Sequence, residues 1–248
     1  MRVVGLYVYP VTSLAGVAVE SVAFGPSGTI VGDRAWALQD AHSGVVLSCT
    51  REPRLLYLGT SAAGGEVLVH VPGVDSPVPI AECADVVSPW LGRQVRPLLL
   101  GRAPTSPLFD SAFPVETGFG SLAEHGGCTH VITTGTVRLV STLCMQLGEP
   151  QSDEAATLRL RPNIVVAEDS TFAEDNWSGA TLTGAQVALR VVEGAGICTV
   201  VDFARPGMPA TSGLLERLRT DHGAVAGSYV VGGTGDRLCL GDILRVSW

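Results

Sequence analysis

Lysine is missing altogether: all sixteen basic residues of this 248-residue chain are arginines. That excludes a pyridoxal phosphate aldimine, any other lysine Schiff base and the lysine of a Walker phosphate loop. Every cationic role falls to arginine, whose planar fork takes carboxylates and phosphates bidentately. Basic charge is also outnumbered, since 24 acidic residues leave a formal charge of −8. No basic stripe is available to neutralise a nucleic-acid backbone or an anionic membrane, so the expected partners are small molecules and proteins.

Paired cysteines and long apolar runs are missing as well. Cys49, Cys83, Cys128, Cys144, Cys198 and Cys239 contain no Cys-x-x-Cys spacing, which argues against a zinc ribbon, an iron–sulfur cluster or a disulfide scaffold. No apolar run is long enough to span a bilayer, and the start, MRVVGLYVYPVTS, lacks the charged, apolar, then small order of a signal peptide. A cytoplasmic location is the expectation. The histidines form no trusted metal spacing; His125 and His130 bracket a glycine turn and read as surface residues.

What the chain does have is apolar content, 46% against 16% charged, enough to bury a full core. Short alternating runs recur between polar turns: Val3 to Tyr9, Val17 to Phe24, a strand ending at Cys49, Leu55 to Thr60, Glu66 to Val71 and Val95 to Leu100. Regular spacing of this kind predicts a barrel or sandwich. A loose proline- and glycine-rich connection covers 101–127. Beyond it, Thr129 to Thr134 reads as a strand and Val137 to Leu147 as a short helix with Thr136 as N-cap. A helix from Ser212, a strand around Ser228 and a final hairpin over Arg237 to Trp248 follow. The expected fold is mainly β (α+β), with domains at 1–100 and 101–248.

The stretch Arg159 to Asp202 carries most of the candidate chemistry. An arginine–proline entry precedes a buried-looking strand, Asn163 to Ala167. An acidic, aromatic turn runs from Phe172 to Trp177, with Glu174 and Asp175 read as structural. Two further strand-like runs, Ala185 to Val192 and Ile197 to Val201, flank a small-residue corner at Gly194-Ala195-Gly196. Such a loop could hold an anionic ligand and present it to the Cys198 thiolate.

Tyr9-Pro10-Val11-Thr12-Ser13, Gly32-Asp33-Arg34-Ala35-Trp36 and Arg51-Glu52-Pro53-Arg54-Leu55 resemble the N-terminal β-barrel domain of MOSC proteins (molybdenum cofactor sulfurase C-terminal type). Arg161-Pro162-Asn163-Ile164-Val165-Val166, Phe172-Ala173-Glu174-Asp175-Asn176-Trp177 and Leu240-Gly241-Asp242 resemble the MOSC domain itself. By pattern the chain is similar to the mitochondrial amidoxime-reducing component and its bacterial relatives. The resemblance implies an N-terminal β-barrel followed by a MOSC β-barrel-like domain with a few short helices. It also implies a molybdenum–pterin cofactor between the two, held by Thr12, Ser13, Arg34, Thr133, Thr134, Arg161 and Asn163. The activity implied is reduction of N-hydroxylated or N-oxygenated small molecules, with electrons from a separate donor protein.

Two positions depart from the family pattern. Thr12 stands where the family usually has lysine, and Gly196 stands where it places its metal-binding cysteine, two residues before Cys198. Three readings of Cys198 stay open: displaced metal ligand, catalytic nucleophile without metal, or packed thiol. The departures keep an alternative in view, a cofactor-free enzyme acting on a small polar or anionic substrate in a tailoring or sulfur-transfer step.

Overall fold

The computed structural model describes residues 1–100 and 129–248. The 101–127 connection, His125 and Cys128 lie outside the described residues. The fold is mainly β with short helices, and it divides into two compact units built from interleaved stretches. One comprises Met1–Tyr7, Ala18–Val31 and Cys128–Trp248; the other comprises Val8–Val17 and Gly32–Gly127.

The first unit is organised on eight strands: β1 (Arg2–Val8), β2 (Val17–Ala18), β9 (Thr129–Thr133), β10 (Ile164–Ala167), β11 (Thr181–Thr183), β12 (Ala188–Gly196), β13 (Val225–Val231) and β15 (Arg245–Ser247). Their order is β15-β11-β12-β13-β9-β10-β1-β2. β9 and β10 are parallel, and α2 (Thr134–Gln146) and α3 (Asp153–Leu160) make the crossover between them. The last segment draws the far strands together. Residues 245–247 pair with β11, while just upstream the Val3 N–H donates to the Asp242 carbonyl at 2.8 Å and the Leu244 N–H to the Met1 carbonyl at 2.8 Å. One short run of chain thus covers edge groups that would otherwise be unpaired.

Helices α2, α3 and α4 (Leu214–His222) cover one face of this sheet. Val137, Val140 and Cys144 of α2 meet Ala156 and Leu160 of α3, Leu214 and Leu218 of α4, and Ile132 and Val165 of the sheet in one buried cluster. The spacing in α2 is the i, i+3, i+7 stripe of a helix with one apolar face. Gly135 lets that helix start close to the chain beyond β10: a Cβ there would lie 2.5–2.6 Å from the carbonyl oxygens of Ser170 and Asp169.

The second unit holds a ribbon of β4 (Trp36–Asp40) and β8 (Val95–Leu99), a three-stranded sheet of β5 (Gly59–Ala63), β6 (Glu66–His70) and β7 (Val78–Pro79), and helix α1 (Ala84–Leu91). The Asp40 carboxylate closes the turn after β4 by accepting the N–H groups of His42 and Ser43, and Arg93 pairs with it. The Ser43 N–H, then Arg93, hold that carboxyl well below the usual carboxylate range. No helix among the described residues is long and apolar enough to cross a membrane.

Several local expectations are corrected. Gly194-Ala195-Gly196 is not a corner between strands but the end of the nine-residue β12, whose register against β13 shifts at Val191/Glu193 and again at Gly194/Gly196. The bulges absorb the irregularity that the glycines signal. Ile197 to Val201 is not a strand, because a 3-10 turn occupies Thr199–Asp202. Leu55 to Thr60 begins as a 3-10 turn at Pro53–Tyr57, and the run ending at Cys49 forms no strand. The end of the chain is no hairpin: β14 (Arg237–Cys239) pairs with β3 (Ser21–Ala23), and β15 pairs with β11. His130 is buried, with Nε2 2.8 Å from the Ala226 carbonyl oxygen.

Among the described residues the largest fully buried side chain is Arg159, near the end of α3 and 1% exposed. Its Nε donates to Gln151 Oε1 at 2.6 Å and its Nη1 to the carbonyls of Val201 and Phe203 at 2.8 and 3.1 Å, while Nη2 reaches the Pro209 carbonyl. Arg205 runs the opposite way, from that loop to the carbonyls of Leu158 and Val200. Replacing Arg159 with methionine strands those carbonyls in a buried site, so Arg159→Met is expected to lower unfolding free energy by about 3–5 kcal/mol. Urea denaturation checks this.

Candidate functional site

α3 stops at Arg161, which takes a left-handed backbone, φ 54° and ψ 45°, with its N–H on the Thr157 carbonyl at 3.0 Å. Pro162 cannot continue a helix, so the sequence itself imposes the stop. Left-handed geometry costs a non-glycine residue on the order of 1 kcal/mol, and glycine is the usual occupant of this position. Arg161 is half-buried.

Asn163 follows and is fully buried. Its Oδ1 accepts the His130 N–H and its Nδ2 donates to the Tyr7 carbonyl, each at 3.1 Å. Its own N–H and C=O bond the same two residues, both at 2.8 Å. The amide therefore braces the start of β10 between β9 and β1.

Thr133 ends β9 and caps α2; its Oγ1 accepts the Thr136 N–H at 3.2 Å, so the N-cap is Thr133 and not Thr136. The reason is geometric, since Thr133 keeps extended backbone and its hydroxyl reaches a donor three residues on. The same hydroxyl donates to Glu174 Oε2 at 2.7 Å. Thr134 Oγ1 donates to the Glu168 carbonyl at 2.9 Å.

Cys198 lies two residues past the end of β12 and is half-buried. Ala195 and Ile197 point into the core, whereas Gly194 is exposed and Gly196 and Cys198 are half-buried. By strand alternation the thiol thus shares a side with the positions that carry no side chain. Four residues on, Asp202 Oδ1 accepts the Leu215 N–H at 3.0 Å and anchors the start of α4.

The other expected site residues belong to the second unit. Thr12 is half-buried, with its N–H on the Trp36 carbonyl at 2.7 Å. Ser13 is left-handed at φ 71° and buried, and its Oγ accepts the Cys49 N–H at 3.1 Å. Arg34 is left-handed at φ 49°; it ion-pairs with Asp33 and stands 5.2 Å from the centroid of the Tyr9 ring. Asp33 in turn accepts the Tyr9 N–H at 2.8 Å.

Sequence reasoning passed over two parts of this region. Arg159 and Arg205 clamp the chain on both sides of Asp202, and nothing in spacing or composition distinguished them from surface arginines. Glu174 is only 1% exposed, and its Oε1 has no hydrogen-bond partner. Burial raises its pKa above the ordinary carboxylate value. Between the ordinary and the raised pKa the native state holds one more proton than the unfolded chain, so stability is fully present below that window and falls as pH rises through it. Wild type is expected to lose up to about 1.4 kcal/mol per pH unit there relative to Glu174→Gln, which lacks the titration. Denaturation midpoints of both proteins across the acidic to neutral range measure that slope.

Comparison by structure finds a crystal structure of the YUAD protein from Bacillus subtilis, 13% identical, with a TM-score of 0.46 and coverage of 99% of this chain and 94% of that one. A search of curated proteins by sequence finds no match. The family evidence lies at the start of the chain, over β1 to β7 and the first three residues of α1. Residues 1–86 match the model of the MOSC N-terminal beta barrel domain.

Proposed function

We propose that the protein is a molybdenum-cofactor-dependent oxidoreductase that reduces N-hydroxylated or N-oxygenated small molecules. The observation that carries the reading is backbone geometry at the expected cofactor positions. Five non-glycine residues among those described have positive φ, and three of them, Ser13, Arg34 and Arg161, are residues the motifs assign to the cofactor. Left-handed arginine and serine persist only where something else over-determines them, and such positions cluster at ligand sites.

The residues present suit the cofactor's chemistry. A half-buried thiol beside side-chain-free strand positions offers a soft donor to molybdenum, and the Arg161 guanidinium at a helix end offers a fork to phosphate. Cys198 would hold the metal and Arg161 the anionic tail. Thr12, Ser13 and Arg34 enter this reading through the resemblance of their motifs. When bound, the cofactor supplies two-electron chemistry at an N–O bond; two electrons and two protons turn N–OH into N–H and water. A separate donor protein is the proposed electron source. The buried brace of Arg159 keeps Arg161 and the chain after Cys198 in fixed register.

Protein purified from a host that makes the cofactor should contain molybdenum at one per chain by elemental analysis, and Cys198→Ser should lose it. Arg161→Gly gives a sharper reading. Glycine relieves the left-handed strain, so that variant is expected to gain about 1 kcal/mol in unfolding free energy while retaining less molybdenum and pterin. Wild-type protein without molybdenum, and without fluorescent pterin after oxidation, would refute the proposal and select the cofactor-free alternative.

A further inference from the structure

The first unit contains a cavity of about 320 Å³ beside the turn from β11 to β12, lined by Thr183, Gly184, Ala185, Ile243 and Arg245. The cofactor reading uses none of these residues. Strand register places the first polar pair, because β15 runs beside β11 with Arg245 opposite Thr183. Leu182 and Leu244 are fully buried, so the alternating positions Thr183, Ile243 and Arg245 project from the other side, where all three are exposed. Gly184 brings the turn close to the chain that carries Ile243. A Cβ there would lie 2.9 Å from Val187 Cγ1 and 3.1 Å from Leu244 Cδ2, so a larger residue would crowd the two.

The cavity is cationic in a chain whose formal charge is −8. Arg34, Arg54, Arg93, Arg138, Arg217 and Arg219 each have a carboxylate partner, whereas Arg245 has none among the described residues and no carboxylate lines the cavity. The neighbouring positions on the same face supply no counter-ion either. Arg190 stands opposite Thr181 and Thr181 opposite Ser247, whose Oγ lies 3.3 Å from Thr183 Oγ1. Next to the guanidinium is apolar surface, since Ile243 is 50% exposed. Covering that side chain would be favourable for any ligand that also satisfies the charge.

A guanidinium, a hydroxyl and an exposed isoleucine in one cavity match a ligand that is anionic at one end and apolar at the other. The arginine fork takes a carboxylate through two parallel hydrogen bonds, and the Thr183 hydroxyl can donate a third. One arginine balances one negative charge, which suits a monocarboxylate better than a phosphate dianion. The volume lies at the small end of the range for ligand pockets, so the apolar body is a single ring or a short branched chain. We infer that this cavity binds a small organic monocarboxylate, its carboxylate on Arg245 and Thr183 and its apolar body against Ile243 and Ala185.

The test uses the full chain without cofactor, so it stands or falls separately from the proposed reaction. Benzoate titrated into protein labelled at its isoleucine, alanine and threonine methyls should give saturable NMR shifts at Ile243, Ala185 and Thr183. Benzyl alcohol, which has the ring without the charge, and inorganic phosphate, which has charge without the ring, should each bind about tenfold more weakly. Arg245→Gln should weaken benzoate about tenfold and Thr183→Val by a smaller factor. Both are exposed strand positions, so the core stays intact. Ile243→Ser should weaken benzoate and leave phosphate unchanged. Arg190→Gln removes a cation from the same face but outside the cavity, and should have little effect. Phosphate binding as tightly as benzoate, an equal loss in Arg190→Gln and Arg245→Gln, or no saturable shift at Ile243 would overturn the assignment.

Discussion

A guanidinium buried among carbonyl oxygens organises the larger unit. Arg159 sits inside the unit formed by the sheet and its helices, and the groups that solvate it are backbone carbonyls of residues 201–209 together with Gln151. Burial pulls its pKa down, yet arginine retains its proton even so. A charge that cannot be shed forces the surrounding chain to supply acceptors. The loop after Cys198 therefore has little conformational choice, and Arg205 ties it back to α3 and to Val200. In a chain without lysine this is a structural use of the one cation available. Arg161, two residues beyond Arg159, inherits its position from the same anchor.

The strands were largely legible because alternation reports directly on which side of a sheet is buried. β1, β6, β8 and β9 fall close to the apolar runs that suggested them. Where the reading failed, the deciding force was not local. Gly194 and Gly196 look like a corner in sequence, but pairing with β13 carries the strand through them, and two bulges take up the mismatch. The run from Arg237 to Trp248 has the turn chemistry of a hairpin, yet its two strands find partners at β3 and β11, far away in the chain. No pattern within a dozen residues can encode a choice between partners that distant. The helix α3 lacks a strong apolar stripe and went unseen for the same reason: its burial is set largely by Arg159 and by its place in the crossover.

Candidate chemistry was legible to a different degree. Thr133, Asn163 and Ser13 were picked out by motif, and in the structure each has a clear task in holding the backbone together, as helix cap, strand brace and turn clasp. Arg161 and Arg34 were picked out by the same motifs, and what marks them in three dimensions is the backbone conformation beneath the charge. Sequence reveals which residue type stands at a position; it does not reveal that the position is left-handed unless glycine or asparagine is there to signal it. An arginine in that conformation carries no local signature, so its strain becomes visible only after the helix before it and the proline after it have been placed.

Glu174 shows how a hidden group can be tied to visible ones. The hydroxyl of Thr133 accepts from the Thr136 N–H and donates to Glu174 Oε2, while Thr136 Oγ1 accepts from the Phe172 N–H at 2.9 Å. The cap of α2 and the turn carrying Glu174 therefore share hydrogen bonds. The cap itself does not depend on the charge of Glu174, because Thr133 uses a lone pair towards Thr136 and its proton towards the carboxylate. What changes with that charge is the strength of the outgoing bond, stronger to a carboxylate than to a neutral acid, set against the larger cost of keeping a carboxylate out of water. Burial raises the pKa, so desolvation outweighs the hydrogen bonds that favour the ionised form, those of the Thr133 and Thr136 hydroxyls among them.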